Sequence, residues 1–112
     1  MGAVEIKQVG RIVKSLCLLL GDKFSFEVAA VVLEVMNEED LSPEAYCRRL
    51  SWLEPAQTMR ILKRLTGEPN NWRQHRQIIW WRRSKEGVDT IRLVQRGRSF
   101  RGSLMDAIRD PH

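Results

Sequence analysis

Apolar side chains recur along this chain at two spacings, and the change of spacing marks its organisation. From Glu5 to Leu20, Ile6, Val9, Ile12 or Val13, Leu16 and Leu20 return every three or four residues, one stripe of a helix. The end of that segment, LCLLL, is apolar nearly all round and is expected to be buried on more than one side. Gly21 stops the helix, as glycine commonly does just past a C-terminus. Ser25 can cap a second helix running to about Asn37, with VAAVVLEVM as its buried centre. Its β-branched valines argue for a strand, but length and cap favour a helix. Ser42-Pro43-Glu44 opens a third, short helix that ends near Leu50. It offers a hydroxyl cap, a proline where no N–H is needed, and an acid at the positive end of the dipole. After Ser51-Trp52-Leu53, Glu54-Pro55 opens a fourth helix that reaches Leu65 or Thr66. Thr58, Ile61, Leu62 and Leu65 share its inner face, and Gly67 to Asn71 form a loop.

The spacing falls to two in IIWWRRSKEGVDTIRLV, Ile78 to Val94. Ile79, Trp81 and Arg83 then share one strand face, and Ile78, Trp80 and Arg82 the other. Ser84 to Gly87 has turn composition, with glycine late in the turn where positive φ is usually needed. Val88 to Leu93 alternates again, with Ile91 and Leu93 opposite Thr90 and Arg92. The pattern is a β-hairpin with a basic tip. A last helix, from about Gln95 to Arg109, buries Phe100, Leu104 and Ile108. The fold class is therefore mainly α with a small β-hairpin (α+β). At 112 residues without an internal repeat, the chain is expected to form one domain over residues 1–112.

Charge adds a direction to this picture. Residues 1–54 hold 6 Lys/Arg against 9 Asp/Glu, whereas residues 55–112 hold 13 against 5. A one-sided basic distribution fits a polyanion partner, and it equally fits a solvated basic face. Cys17 and Cys47 lie within helical apolar patterns and read as free core thiols rather than a disulfide or metal pair. No apolar run approaches the roughly 20 residues needed to span a bilayer. Glu5, Lys7 and Arg11 interrupt any signal-peptide core, so a cytoplasmic protein is expected. His75 and His112 stand without a nearby nucleophile or metal-ligand spacing. No phosphate-loop glycine pattern is present. An enzyme, a cofactor and a metal are accordingly not expected. The acidic run Glu38-Glu39-Asp40 reads as a helix end and a solvated loop.

The order of helix, helix, short helix, turn, basic helix, hairpin and helix resembles a winged helix-turn-helix domain. Two stretches resemble the multiple-antibiotic-resistance regulator (MarR) family in particular. LSPEAYCRRL followed by EPAQTMRILKRL is similar to its helix-turn-helix, where a leucine and a hydroxyl residue cap a short helix. The second helix of that motif ends in a leucine–basic–basic–leucine run, here Leu62-Lys63-Arg64-Leu65. IRLVQRGRSFRGSLMDAI is similar to the family's closing strand and next helix start, with Gly97-Arg98 matching and Val94 standing where a threonine cap is usual. The likeness covers residues 24–108, about three quarters of the chain.

The resemblance implies a sequence-specific protein of double-stranded DNA, a MarR-like transcriptional regulator acting as a homodimer. Residues 41–66 would be the helix-turn-helix, residues 77–94 the wing, and residues 1–23 and 95–112 the dimerisation helices. The helix from Pro55 would enter the major groove, where Gln57 can pair with adenine and Arg60 with guanine. Lys63 and Arg64 would meet phosphate, and so would Arg82, Arg83 and Lys85 on the hairpin. Trp80 and Trp81 lie on opposite faces, so one is expected under the sheet and the other, with Trp72, at the surface. Packing or a protein contact is favoured there over stacking on unpaired bases. The apolar excess of the terminal helices marks Val9, Ile12, Val13, Leu16, Leu19, Leu104 and Ile108 as a dimer interface. A small-molecule effector is compatible with the resemblance, but no residue pattern supports one. A winged helix serving as a protein-interaction or assembly module, for instance in a phage or plasmid regulatory or replication complex, is the alternative.

Overall fold

Three of the helices begin where a serine cap or a proline starts them. In the computed structural model, which describes residues 6–21, 24–66 and 77–109, the order is α1 (Ile6–Leu20), α2 (Phe26–Asn37), α3 (Pro43–Arg49), α4 (Pro55–Leu65), β1 (Ile79–Arg83), β2 (Asp89–Leu93) and α5 (Gln95–Arg109). The Ser25 hydroxyl accepts from the Val28 N–H at 3.1 Å, and the Ser42 hydroxyl from Ala45 at the same distance. Pro43 and Pro55 occupy the first turns of α3 and α4. Gly21 takes φ +59°, the left-handed backbone that ends α1. The valines of α2 settle as helix. Their propensity penalty is at most about 0.7 kcal/mol each, while complete burial of Val31, Val32 and Val35 stabilises by roughly 1.5–3 kcal/mol each.

α2 is the central element and packs against α3, α4, β2 and α5. Side chains with no solvent exposure come from each layer around it: Tyr46 from α3, Leu62 from α4, and Ile79 and Ile91 from the two strands. Tyr46 donates to the Glu38 carbonyl at 2.8 Å and accepts from the Leu41 N–H at 3.4 Å, so its hydroxyl is satisfied where it is buried. Burial pushes its pKa up to about 12.

The strands pair antiparallel with Ile79 opposite Leu93, Trp81 opposite Ile91 and Arg83 opposite Asp89. The turn closes through Ser84, whose N–H donates to the Val88 carbonyl at 2.8 Å, and Gly87 takes φ +80° as its position in the turn predicts. Trp81 packs on the core and Trp80 stays half-exposed, so the two faces divide as alternation implies. Ile78 does not share the exposure of Trp80, two residues on, because β1 starts one residue later. Its N–H donates to the Leu65 carbonyl and its carbonyl accepts from Val94, which buries it between α4 and α5. A further strand-like contact has no counterpart in the sequence pattern: Leu41 bridges Ile91, so the segment before α3 widens the hairpin. This is an α+β winged-helix fold.

The acidic run is a correction. Glu38, Glu39 and Asp40 form a hub rather than a solvated loop. Glu38 pairs with Arg49 of α3 at 2.6 Å, and Asp40 pairs with Arg92 of β2. The Glu39 carboxylate accepts from the Leu93 N–H at 2.8 Å, from Arg101 at 2.9 Å and from Arg98 at 3.3 Å. Burial raises the Glu39 pKa, but the Leu93 N–H and the two guanidinium groups outweigh it and hold the carboxyl below its ordinary value. The end of α2 is thereby tied to the hairpin and to α5.

Candidate nucleic-acid interface

The fourth helix presents two unlike sides. Thr58, Ile61, Leu62 and Leu65 are buried against the core, and Arg60, Lys63 and Arg64 are exposed. None of those three cations has an ion-pair partner among the described residues. Gln57 is half-buried at the edge of the same outer side. α3 packs along α4, and the turn between them closes through the Leu53 N–H on the Leu50 carbonyl. The arrangement is a helix-turn-helix whose second helix turns charge outward. Arg64 also borders a cavity of about 230 Å³ between the ends of α1 and α4, with Leu19, Leu65, Ile78 and Arg96 in its wall.

The hairpin stands against α4. Its three expected cations differ in circumstance. Arg83 is held by its cross-strand neighbour Asp89 through two contacts, Nε at 2.8 Å and a terminal nitrogen at 3.3 Å. That guanidinium holds the Asp89 carboxyl below its ordinary value. Arg82 has no acidic partner among the described residues and lies over the Trp80 ring, 5.8 Å from its centroid. Lys85 is exposed in the turn. The sequence pattern placed Trp80 and Arg82 on one face, the signal from which their contact could have been foreseen. Trp52, 63% exposed in the helix-turn-helix turn, is an aromatic that pattern reading did not single out.

The terminal helices divide the expected dimer residues. Leu16 and Leu104 are only 2% and 6% exposed within the chain itself, so they are core residues with no surface left for a partner. Ile12 and Leu19 are half-buried against the same core. Val9 and Val13 remain exposed, and Ile6 and Leu18 join them as exposed apolar side chains. The end of α1 is therefore buried on one side only. The Ile108 side chain, Trp72, His75, His112 and the loop from Gly67 lie outside the described residues. Both cysteines are free thiols; Cys17 is exposed rather than in the core, and Cys47 is half-buried, its thiol pushed up by burial and by Glu44.

Among the described residues no group of His, Cys, Asp or Glu could hold a metal ion, and no helix is long and apolar enough to cross a membrane. No family model matches the chain, and no curated protein matches it. A solved structure does: AbfR in its disulfide-formed state, with a TM-score of 0.60 and 18% identity over 95% of this chain and 70% of that one. At that identity the likeness concerns the fold, which is a winged helix in both.

Proposed function

We propose that this chain is a sequence-specific binder of double-stranded DNA, a MarR-like transcriptional regulator that works as a homodimer in the cytoplasm and catalyses no reaction. One observation carries the reading. The second helix of a helix-turn-helix exposes Arg60, Lys63 and Arg64 without acidic partners among the described residues, beside a hairpin bearing Arg82 and Lys85. AbfR, a winged-helix-like transcription regulator, supports it at the level of the fold. In this mode the second helix lies in the major groove, Gln57 and Arg60 face base edges, and Lys63 and Arg64 face phosphate. The exposed stripe of Ile6, Val9 and Val13 supports the homodimer. A small-molecule effector draws its support from the cavity beside Arg64 and Arg96.

The test is binding to duplex DNA across a salt series. Phosphate contacts release counterions, so affinity must fall steeply with salt. Arg60→Ala should cost about 1–3 kcal/mol on the preferred site, and Lys63→Ala should weaken every sequence alike and lower the salt slope by about 1. No binding at low salt, or binding indifferent to salt, overturns the reading. A second reading, a protein-interaction module, draws on the exposure of Trp52 and Phe26, at 63% and 75%. A partner protein whose capture is lost in Trp52→Ala, together with absent DNA binding, would carry it.

A further inference from the structure

The two adjacent hairpin arginines stand on opposite faces and have opposite fates. Arg83 sits opposite Asp89 in the register and is bound to it bidentately, so its charge is answered inside the hairpin. Arg82 sits opposite Thr90, which offers no charge, and two residues after Trp80 on the same outer face. Trp80 cannot be there for the core: it is 49% exposed, while its neighbour Trp81 does the packing. Arg92, its cross-strand partner in the register, is itself held by Asp40. The Arg82 guanidinium lies over the ring, 5.8 Å from its centroid.

A free arginine loses rotamer entropy when a partner immobilises it. A guanidinium resting on an indole face has already given up part of that freedom, and it keeps all five N–H donors at its edge for an anion. We propose that Trp80 is a positioning residue of the wing: it holds Arg82 ready for a backbone phosphate without touching the nucleic acid itself, while Arg83 serves the hairpin register and makes no phosphate contact. The inference rests on the DNA-binding reading above, and its experiment separates the two.

Duplex affinity is measured over a salt series for the wild type, Arg82→Ala, Arg83→Ala, Trp80→Leu and the double variant Trp80→Leu/Arg82→Ala. Arg82→Ala should lower the salt slope by about 1, because one phosphate fewer is neutralised. Trp80→Leu should weaken binding about two- to fivefold, the worth of an exposed cation–π contact, with the slope unchanged. The double variant should bind no worse than Arg82→Ala. Arg83→Ala should keep the wild-type slope. In the free protein, the Arg82 side-chain N–H resonance should carry a ring-current shift that Trp80→Leu removes. Additive losses in the double variant would mean that Trp80 contacts DNA directly and would overturn the proposal, as would an unchanged Arg82 resonance or a lowered slope in Arg83→Ala. Absence of any wild-type binding at low salt would instead overturn the DNA-binding reading itself, and this inference with it.

Discussion

Single positions show where side-chain volume and hydrogen bonding are decided. Gly97 lies where α5 crosses the start of the hairpin, and a Cβ there would stand 2.7 Å from the Ile78 carbonyl oxygen and 3.0 Å from Leu93 Cδ2. The leucine can shift, but the carbonyl is fixed because it accepts from Val94. Gly97→Ala should therefore destabilise by about 1–3 kcal/mol, the usual range for overpacking, read as a lower urea midpoint; an unchanged midpoint would show that α5 can slide. Thr58 presents the reverse case. It is fully buried in α4, and its hydroxyl has no hydrogen-bond partner among the described residues. An unsatisfied buried hydroxyl costs on the order of 1–3 kcal/mol, so Thr58→Val, which keeps the shape, should raise the urea midpoint. A lowered midpoint would count against the hydroxyl being an orphan. The sequence pattern assigned Thr58 to the inner face correctly from its spacing. It carried no sign that the hydroxyl would go unanswered, because that depends on which neighbours arrive from other elements.

Among the elements, what was legible is what local chemistry decides. The serine caps, the prolines in the first turns of α3 and α4, the glycine at φ +80° and the alternation of Ile79 and Trp81 act within a few residues, and each element formed as they predict. The junction between elements was not legible. Three successive acids look like solvated loop because their partners, Arg49, Arg92, Arg98 and Arg101, lie as much as 62 residues away. Glu39 is the centre of that junction, and its side chain is only 16% exposed. Glu39→Gln keeps its shape and removes its charge, so it should destabilise by about 1.5–3 kcal/mol, the range for hydrogen bonds to a charged group. The pH signature follows from the direction of the shift. The folded carboxyl lies below its ordinary value, so the unfolded chain takes up the proton first as pH falls. The stabilisation is complete above the unfolded carboxylate pKa, about 4.3, and is lost on descending through the lower folded value. Chemical denaturation between pH 7 and 3 should show a shallower acid loss in Glu39→Gln than in the wild type; parallel curves would remove Glu39 from the account.

For the whole molecule the open matter is what covers α1. Its apolar stripe is continuous in the sequence, yet it is fully buried only toward the C-terminal end: Leu16 and Leu20 are buried, while Val13, Val9 and Ile6 are 38%, 47% and 90% exposed in that order toward the N-terminus. The exposure grows as the helix leaves the body it packs on. α5 runs alongside α1 and adds Met105, 43% exposed. Periodicity alone could not separate the two ends of the stripe, because a position facing the chain's own core and one facing a second copy have the same spacing. The distinction decides which substitution tests the dimer. Leu16→Glu would bury a charge in the core and unfold the protein, saying nothing about association. Val13→Glu puts the charge on the exposed end of the same stripe, where the isolated chain tolerates it. A two-fold dimer that binds two half-sites one DNA turn apart must set its copies of α4 about 34 Å apart, so each copy would reinforce the other's half-site. Sedimentation equilibrium should then find a dimer for the wild type and a monomer for Val13→Glu, with equal urea midpoints extrapolated to low protein concentration. The variant should also bind a two-half-site duplex far more weakly than the wild type, while a single half-site distinguishes them little. A wild type that stays monomeric at tens of micromolar would leave the stripe without its second copy and end the homodimer reading.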